Sequence, residues 1–218
     1  MEIYVIRHGE TEGNRKQQLN GWTDDPLNQD GMELAEETGR ALKGVRFDAA
    51  FTSPLSRAVT TVKLVLRESG NGDTPLITDD RIKEVYAGDW EGVSITDFVN
   101  DGRFEIVRQY LSGPHPEWSF PNGETLLTVQ QRTQAFLREV AQGPYQRVLV
   151  STHGGALRCM LNFLYPDPND LWQGHLPYHC AVSIVRAENG HMTLEVSDRI
   201  YYDPARCVDR YSLNRPNP

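Results

Sequence analysis

Apolar residues fall along this chain in two textures: short compact runs and longer stretches with helical spacing. The runs EIYVI (2–6) and RVLVST (147–152) are dense in β-branched residues and read as buried strands. DAAFT (48–52) is a shorter second strand, and PLIT (75–78) an edge strand. Residues 29–43 place Met32, Leu34 or Ala35, Gly39 and Leu42 at helical intervals, with Asp30 as N-cap. Ser53-Pro54 reads as an N-cap serine with proline at N1, opening a helix that runs through LSRAVTTVKLVLRES and stops at Gly70. Two more helical stretches, SITDFVNDGRFEIVRQYL and TLLTVQQRTQAFLREVA, flank a loop with three prolines. The second carries an apolar stripe of Leu126, Val129, Phe136, Leu137 and Val140. HGGALRCMLNFL reads as a helix after the 147–152 strand, and CAVSIVRAENGHMTLEVSD as a hairpin turning at Glu188-Asn189-Gly190.

Strands and helices alternate early in the chain. That alternation predicts an α/β fold: three layers, α/β/α, around a mostly parallel central sheet. The 218 residues suit one domain over 1–218, with a helical cap-like insertion at about 86–122. In such sheets ligands gather beyond the carboxyl ends of the strands. Arg7-His8 follows the first strand, Ser53 to Arg57 the second, and His153-Gly154 the 147–152 strand. Topology alone therefore delivers two histidines and two arginines to one edge of the sheet.

Charge narrows the partners. With 22 basic and 30 acidic residues the net charge is −8, which disfavours nucleic acid and anionic membrane surfaces. A small anion could still bind at a local basic cluster. No run approaches the roughly 20 apolar residues of a membrane span, and MEIYVIRHG lacks the features of a secretory signal. Cys159, Cys180 and Cys207 fit neither a zinc pattern nor a disulfide framework, and read as free thiols in a reducing cytoplasm. No metal or organic cofactor is expected.

Two arginines beside two histidines suit a phosphoryl group. Guanidinium forks match phosphate oxygens, and a neutral imidazole is a competent nucleophile toward phosphorus. Glycines after both histidines (Gly9; Gly154-Gly155) allow close backbone approach, and His153 opens a helix whose dipole favours an anion. A leaving alkoxide also needs a proton, which a carboxylic acid would supply. In IKEVYAGDWEG the leading candidate is Glu84, with Asp89 and Glu91 as competitors.

Five motifs carry a resemblance. Arg7-His8-Gly9-Glu10-Thr11 with Asn14, then GWTDDPLNQDG (21–31), SPLSRA (53–58), KEVYAGDWEG (83–92) and STHGG (151–155) together resemble the histidine phosphatase superfamily, also called phosphoglycerate mutase-like, over about residues 3–200. The resemblance implies that His8 is phosphorylated. It implies that Arg7, Arg57 and His153 hold the phosphoryl oxygens, that Asn14 and the Gly154 N–H add hydrogen bonds, and that Glu84 is acid and then base.

The substrate class so implied is a small phosphate ester, and the activity a metal-independent phosphatase. A cofactor-dependent phosphoglycerate mutase is the alternative, and a non-catalytic phosphate-binding relative a third reading. VYAGDWEG resembles the phosphatases rather than the RHYG version of the mutases, and the span from Glu84 to His153 is shorter than mutases carry. Trp22, Tyr86 and His115 are candidate substrate contacts, and Tyr110, Trp118, Trp172 and Tyr178 could shape the pocket. Trp90 reads as packing. His175 and His179 lie four apart, but Pro177 spoils the helix a zinc motif needs. Oligomeric state, substrate identity and the course of the tail 201–218 stay open.

Overall fold

A computed structural model describes residues 1–100, 103, 109, 110, 115–173 and 175–207. Six strands form one sheet: β1 (Glu2–Arg7), β2 (Ala49–Thr52), β3 (Leu76–Thr78), β4 (Arg147–Thr152), β5 (Val182–Glu188) and β6 (His191–Arg199), in the order β3-β2-β4-β1-β5-β6. β1, β4, β2 and β3 run parallel, while β5 and β6 are antiparallel additions beside β1. Helices with described bounds are α1 (Glu12–Arg15), α2 (Gln29–Ala41), α3 (Ser56–Ser69), α4 (Ile95–Asn100), α5 (Leu126–Val140) and α6 (Gly154–Leu161). The mostly parallel sheet matches the expectation.

Side-chain alternation along the strands builds the three layers. Ile3 and Val5 of β1 face Phe136, Leu137 and Val140 of α5 and Leu157 and Met160 of α6. Tyr4 and Ile6 face the other way, onto Leu34 and Ala35 of α2 and Val62, Val65 and Leu66 of α3. Both faces of the sheet are covered, as a parallel sheet requires. A third apolar cluster, beside the end of the sheet, gathers Trp90, Phe98, Tyr110, Phe120 and Trp172. Trp90 is buried there against Phe98 and Phe120, with ring centroids 4.3 and 5.6 Å away.

Two expected caps are corrected. α2 is capped by Asn28, whose Oδ1 accepts from Gly31 N at 2.8 Å; Asp30 sits inside the first turn and pairs with Arg15. α3 begins at Ser56, not at Ser53-Pro54, and Leu55 stands at its N-cap without a side-chain bond. α3 does stop at Gly70. The helix expected after β4 divides: α6 ends at Leu161 and a 3₁₀ turn covers Asn162–Leu164. Of the helix expected over 94–111, residues 95–100 form α4, and most of the remainder lies outside the described residues.

The sheet register sets the site. Arg7 pairs with Thr152, and Thr52 with Ser151, so β1, β2 and β4 end level with one another. β5 runs the opposite way, with Val182 opposite Ile6, so the residues leading into β5 arrive at that same edge. The cysteines are unpaired; Cys159 and Cys180 are buried, and burial raises both thiols. Among the described residues no helix is long and apolar enough to cross a membrane.

Candidate active site

His8 leaves β1 buried, and one hydrogen bond fixes its tautomer. His8 Nδ1 lies 2.7 Å from the carbonyl oxygen of Gly9. A carbonyl can only accept, so Nδ1 carries the proton and Nε2 keeps its lone pair in the neutral ring. Gly9 N in turn donates to Thr61 Oγ1 at 3.0 Å, which ties the turn to α3.

Arginines and imidazoles surround that ring. His153 stands 5.1 Å away, centroid to centroid. Arg57 Nε donates to His153 Nδ1 at 3.2 Å, so His153 carries its proton on Nε2 and donates it to Ser53 Oγ at 2.8 Å. Arg57 also donates to the carbonyls of Asn20, Gly21 and Thr23, pinning the loop before α2. The Arg7 guanidinium donates to Pro177 O and lies against Gly154, where an added Cβ would stand 3.3 Å from Arg7 Nε. Glycine at 154 lets the first turn of α6 sit directly on the arginine.

Of the three acids, the structure brings Glu84 to this edge. Its Oε1 accepts from Val85 N at 2.9 Å and Ala156 N at 2.8 Å, and its Oε2 from Gly155 N at 3.1 Å. The carboxylate thus sits on the N-terminus of α6, one residue from His153-Gly154. A Cβ on Gly155 would come within 2.8 Å of Glu84 Oε1, so this close approach requires glycine. Glu91 is occupied elsewhere, accepting from the backbone N–H groups of Trp22, Thr23 and Ala87. Asp89 accepts from Asn122 on the surface.

The remaining expected residues divide. Trp22 and Tyr86 meet, with ring centroids 4.9 Å apart, and Trp22 Nε1 donates to Glu84 O at 2.9 Å. Asn14 is buried in α1, where its Oδ1 accepts from Thr11 N at 3.2 Å. His115 is exposed, and no contact joins its ring to this cluster among the described residues. Tyr110, Trp118 and Trp172 pack on one another, although Tyr110 also borders a small cavity beside Glu84 and Gly155.

Burial dominates the electrostatics. Both His8 and His153 lie well below the usual imidazole value of 6.5, first because burial penalises their charged forms and next because Arg57 is close. The unfolded chain therefore binds these two protons at a higher pH than the folded one. Folding stability from this source is present above pH 6.5 and is lost as the pH falls below it. In a titration followed by imidazole Hε1 resonances, both rings are expected to stay neutral through pH 6.5. A midpoint at or above that value for either ring would refute the assignment of a neutral pair.

A nucleophile-competent imidazole, two arginines and an acid at a parallel-sheet edge agree with the match to known proteins. The family model of the histidine phosphatase superfamily (branch 1) matches residues 3–198. The chain belongs to the histidine phosphatase superfamily. It is 36% identical over 170 residues to the 2,3-bisphosphoglycerate-dependent phosphoglycerate mutase of Parvibaculum lavamentivorans, covering 73% of this chain and 77% of that one. It is 32% identical over 187 residues to PhoE of Bacillus subtilis, an uncharacterized phosphatase, covering 85% of this chain and 89% of that one. The solved structure of Bacillus stearothermophilus YhfR superposes with a TM-score of 0.82 at 28% identity, over 91% of this chain and 97% of that one.

Two further residues stand at this edge whose part in it the sequence does not announce. Ser53 is no helix cap; its hydroxyl partners His153. His179 is buried, its Nδ1 donates to His8 O at 3.2 Å, and its ring lies 5.7 Å from that of His8. The signal for His179 was its place just ahead of a hairpin strand, legible only once that strand is paired antiparallel to β1. Tyr202 OH donates to His179 O at 2.6 Å, so residues 201–207 do return toward the site; residues 208–218 lie outside those described.

Proposed function

We propose that the protein is a metal-independent phosphatase of small phosphomonoesters that works through phospho-His8. The observation that carries the reading is the Nδ1–H bond from His8 to Gly9 O, which leaves Nε2 as the nucleophile amid Arg7, Arg57 and His153. In the first step the Nε2 lone pair attacks phosphorus and the ester P–O bond breaks. The Glu84 carboxyl proton passes to the departing oxygen. Three backbone N–H groups on Glu84 stabilise the carboxylate this leaves behind. In the second step Glu84 takes a proton from water, the water oxygen attacks phosphorus, the P–N bond breaks and inorganic phosphate departs. Arg7, Arg57, His153, Asn14 and Gly154 N–H are proposed to bind the transferring phosphoryl oxygens. Trp22 and Tyr86 are proposed to meet the alcohol part of the substrate.

The identity to a mutase favours a second reading, in which the phosphoryl group returns to a phosphoglycerate. One feature supports hydrolysis instead: residues 83–92 read KEVYAGDWEG, which resembles the phosphatases rather than the RHYG version of the mutases.

The test is phosphate release from a panel of phosphomonoesters in EDTA, run beside interconversion of 3- and 2-phosphoglycerate. Release without interconversion is the expected result. Interconversion with little release would replace this reading with the mutase, and silence in both assays would leave a phosphate-binding relative.

A further inference from the structure

Glu84 can act only if its backbone is held, yet the segment that carries it belongs to neither the sheet nor a helix. One side chain supplies the hold. Arg132, in α5, donates from Nη1 to the carbonyls of Arg81 and Lys83, both at 2.7 Å. Its Nη2 donates to Glu84 O at 2.8 Å and to Glu124 Oε2 at 2.8 Å, and its Nε to Glu124 Oε1 at 2.9 Å. All five guanidinium N–H groups are thereby used, three of them on carbonyls within four residues of chain. Glu124 extends the brace, since its Oε2 also accepts from Tyr86 N and its backbone N donates to Tyr86 O, each at 3.0 Å. The pair is largely buried, with side-chain exposures of 15% and 16%. Lysine could not reproduce this set, because an ammonium has three donors and no planar fork.

We propose that Arg132, oriented by Glu124, is the positioning residue that sets Glu84 against the leaving oxygen; the inference rests on the phosphatase reading above. The bonds converge on one residue from opposite sides. Arg132 and Trp22 hold the Glu84 carbonyl at 2.8 and 2.9 Å, while Gly155 and Ala156 hold its carboxylate. A buried ion pair serving stability alone has no reason to gather on the backbone of the candidate acid. Loosening it would displace the carboxyl relative to the leaving oxygen, and a misplacement of about 1 Å can cost about 100-fold in rate.

The test compares kcat/KM for p-nitrophenyl phosphate, whose leaving group departs without help, with kcat/KM for the best alkyl phosphomonoester of the panel, whose alkoxide needs a proton. In Arg132→Lys the aryl ester is expected to change less than about 3-fold and the alkyl ester to fall about 100-fold. Glu124→Gln should shift the ratio in the same sense by about 10-fold, and it decides the matter if Arg132→Lys fails to fold by circular dichroism. Added to Glu84→Gln, Arg132→Lys should change the ratio no further, whereas a structural role would lower both esters alike in either background. Equal losses on the two esters, or none, would overturn the inference while leaving the phosphatase reading intact. A native enzyme that releases phosphate from neither ester would instead overturn that reading.

Discussion

His8→Ala is expected to abolish turnover, lowering kcat by about five to six orders of magnitude, because the step that splits hydrolysis into two halves disappears with the nucleophile. The fold should survive. Among the described residues the His8 side chain is hydrogen-bonded only to the carbonyl next to it in the chain, and β1 is secured by β4 on one side and β5 on the other. Mixtures of native protein with 32P-labelled substrate quenched in alkaline detergent should carry base-stable, acid-labile label on His8, and the variant none. Phosphate release by the folded variant at a rate near the native one would sink the phosphohistidine route. His153 does not offer a bypass: it carries its proton on Nε2 toward Ser53, and its Nδ1 is taken by Arg57. A third imidazole, His179, has its Nδ1–H turned to the His8 carbonyl, which braces the backbone of the nucleophile.

How much of this was legible in the sequence follows from the range of each interaction. The ends of β1, β2 and β4 were readable because short apolar runs stop at Arg7, Ser53 and His153, and parallel strands flanked by helices leave one edge for ligands. The stripe of α5 was equally plain, with Thr133 as an unforeseen polar member that bonds back to Val129 O. Misreadings came where a local signal met a distant partner. Ser53 followed by proline is a sound helix start, but the hydroxyl is claimed by a histidine 100 residues away. Asn28 and Asp30 are both competent caps two residues apart, and only the entry path of the chain chooses between them. His179 depends on antiparallel pairing between strands nearly 180 residues apart in sequence, which no periodicity encodes. Arg132 carries no local signal at all, because its carbonyl partners lie 48 to 51 residues earlier. Trp22 and Tyr86 did come together, while His115 did not join them.

Glu84→Gln separates the two halves of the proposed reaction, because one carboxyl serves both. Glutamine keeps the shape and its one oxygen can still accept from Ala156, though its amide nitrogen cannot accept from Gly155, and it neither gives a proton to a leaving alkoxide nor takes one from water. With an alkyl phosphomonoester the first step stalls, and kcat/KM is expected to fall about 10²- to 10⁴-fold. With p-nitrophenyl phosphate the leaving group needs no proton, so kcat/KM should hold within about 3-fold while kcat collapses as phospho-His8 waits for an unactivated water. Rapid mixing should show a burst of p-nitrophenolate equal to the enzyme concentration, followed by slow release. Neither of the two competing acids is poised to substitute, since Glu91 is bonded to three backbone N–H groups and Asp89 is on the surface with Asn122. An alkyl-ester rate unchanged by Glu84→Gln would remove Glu84 as the acid. A stoichiometric burst would instead tie acid and base to one side chain, and would explain why the chain grips this residue from both its carbonyl and its carboxylate.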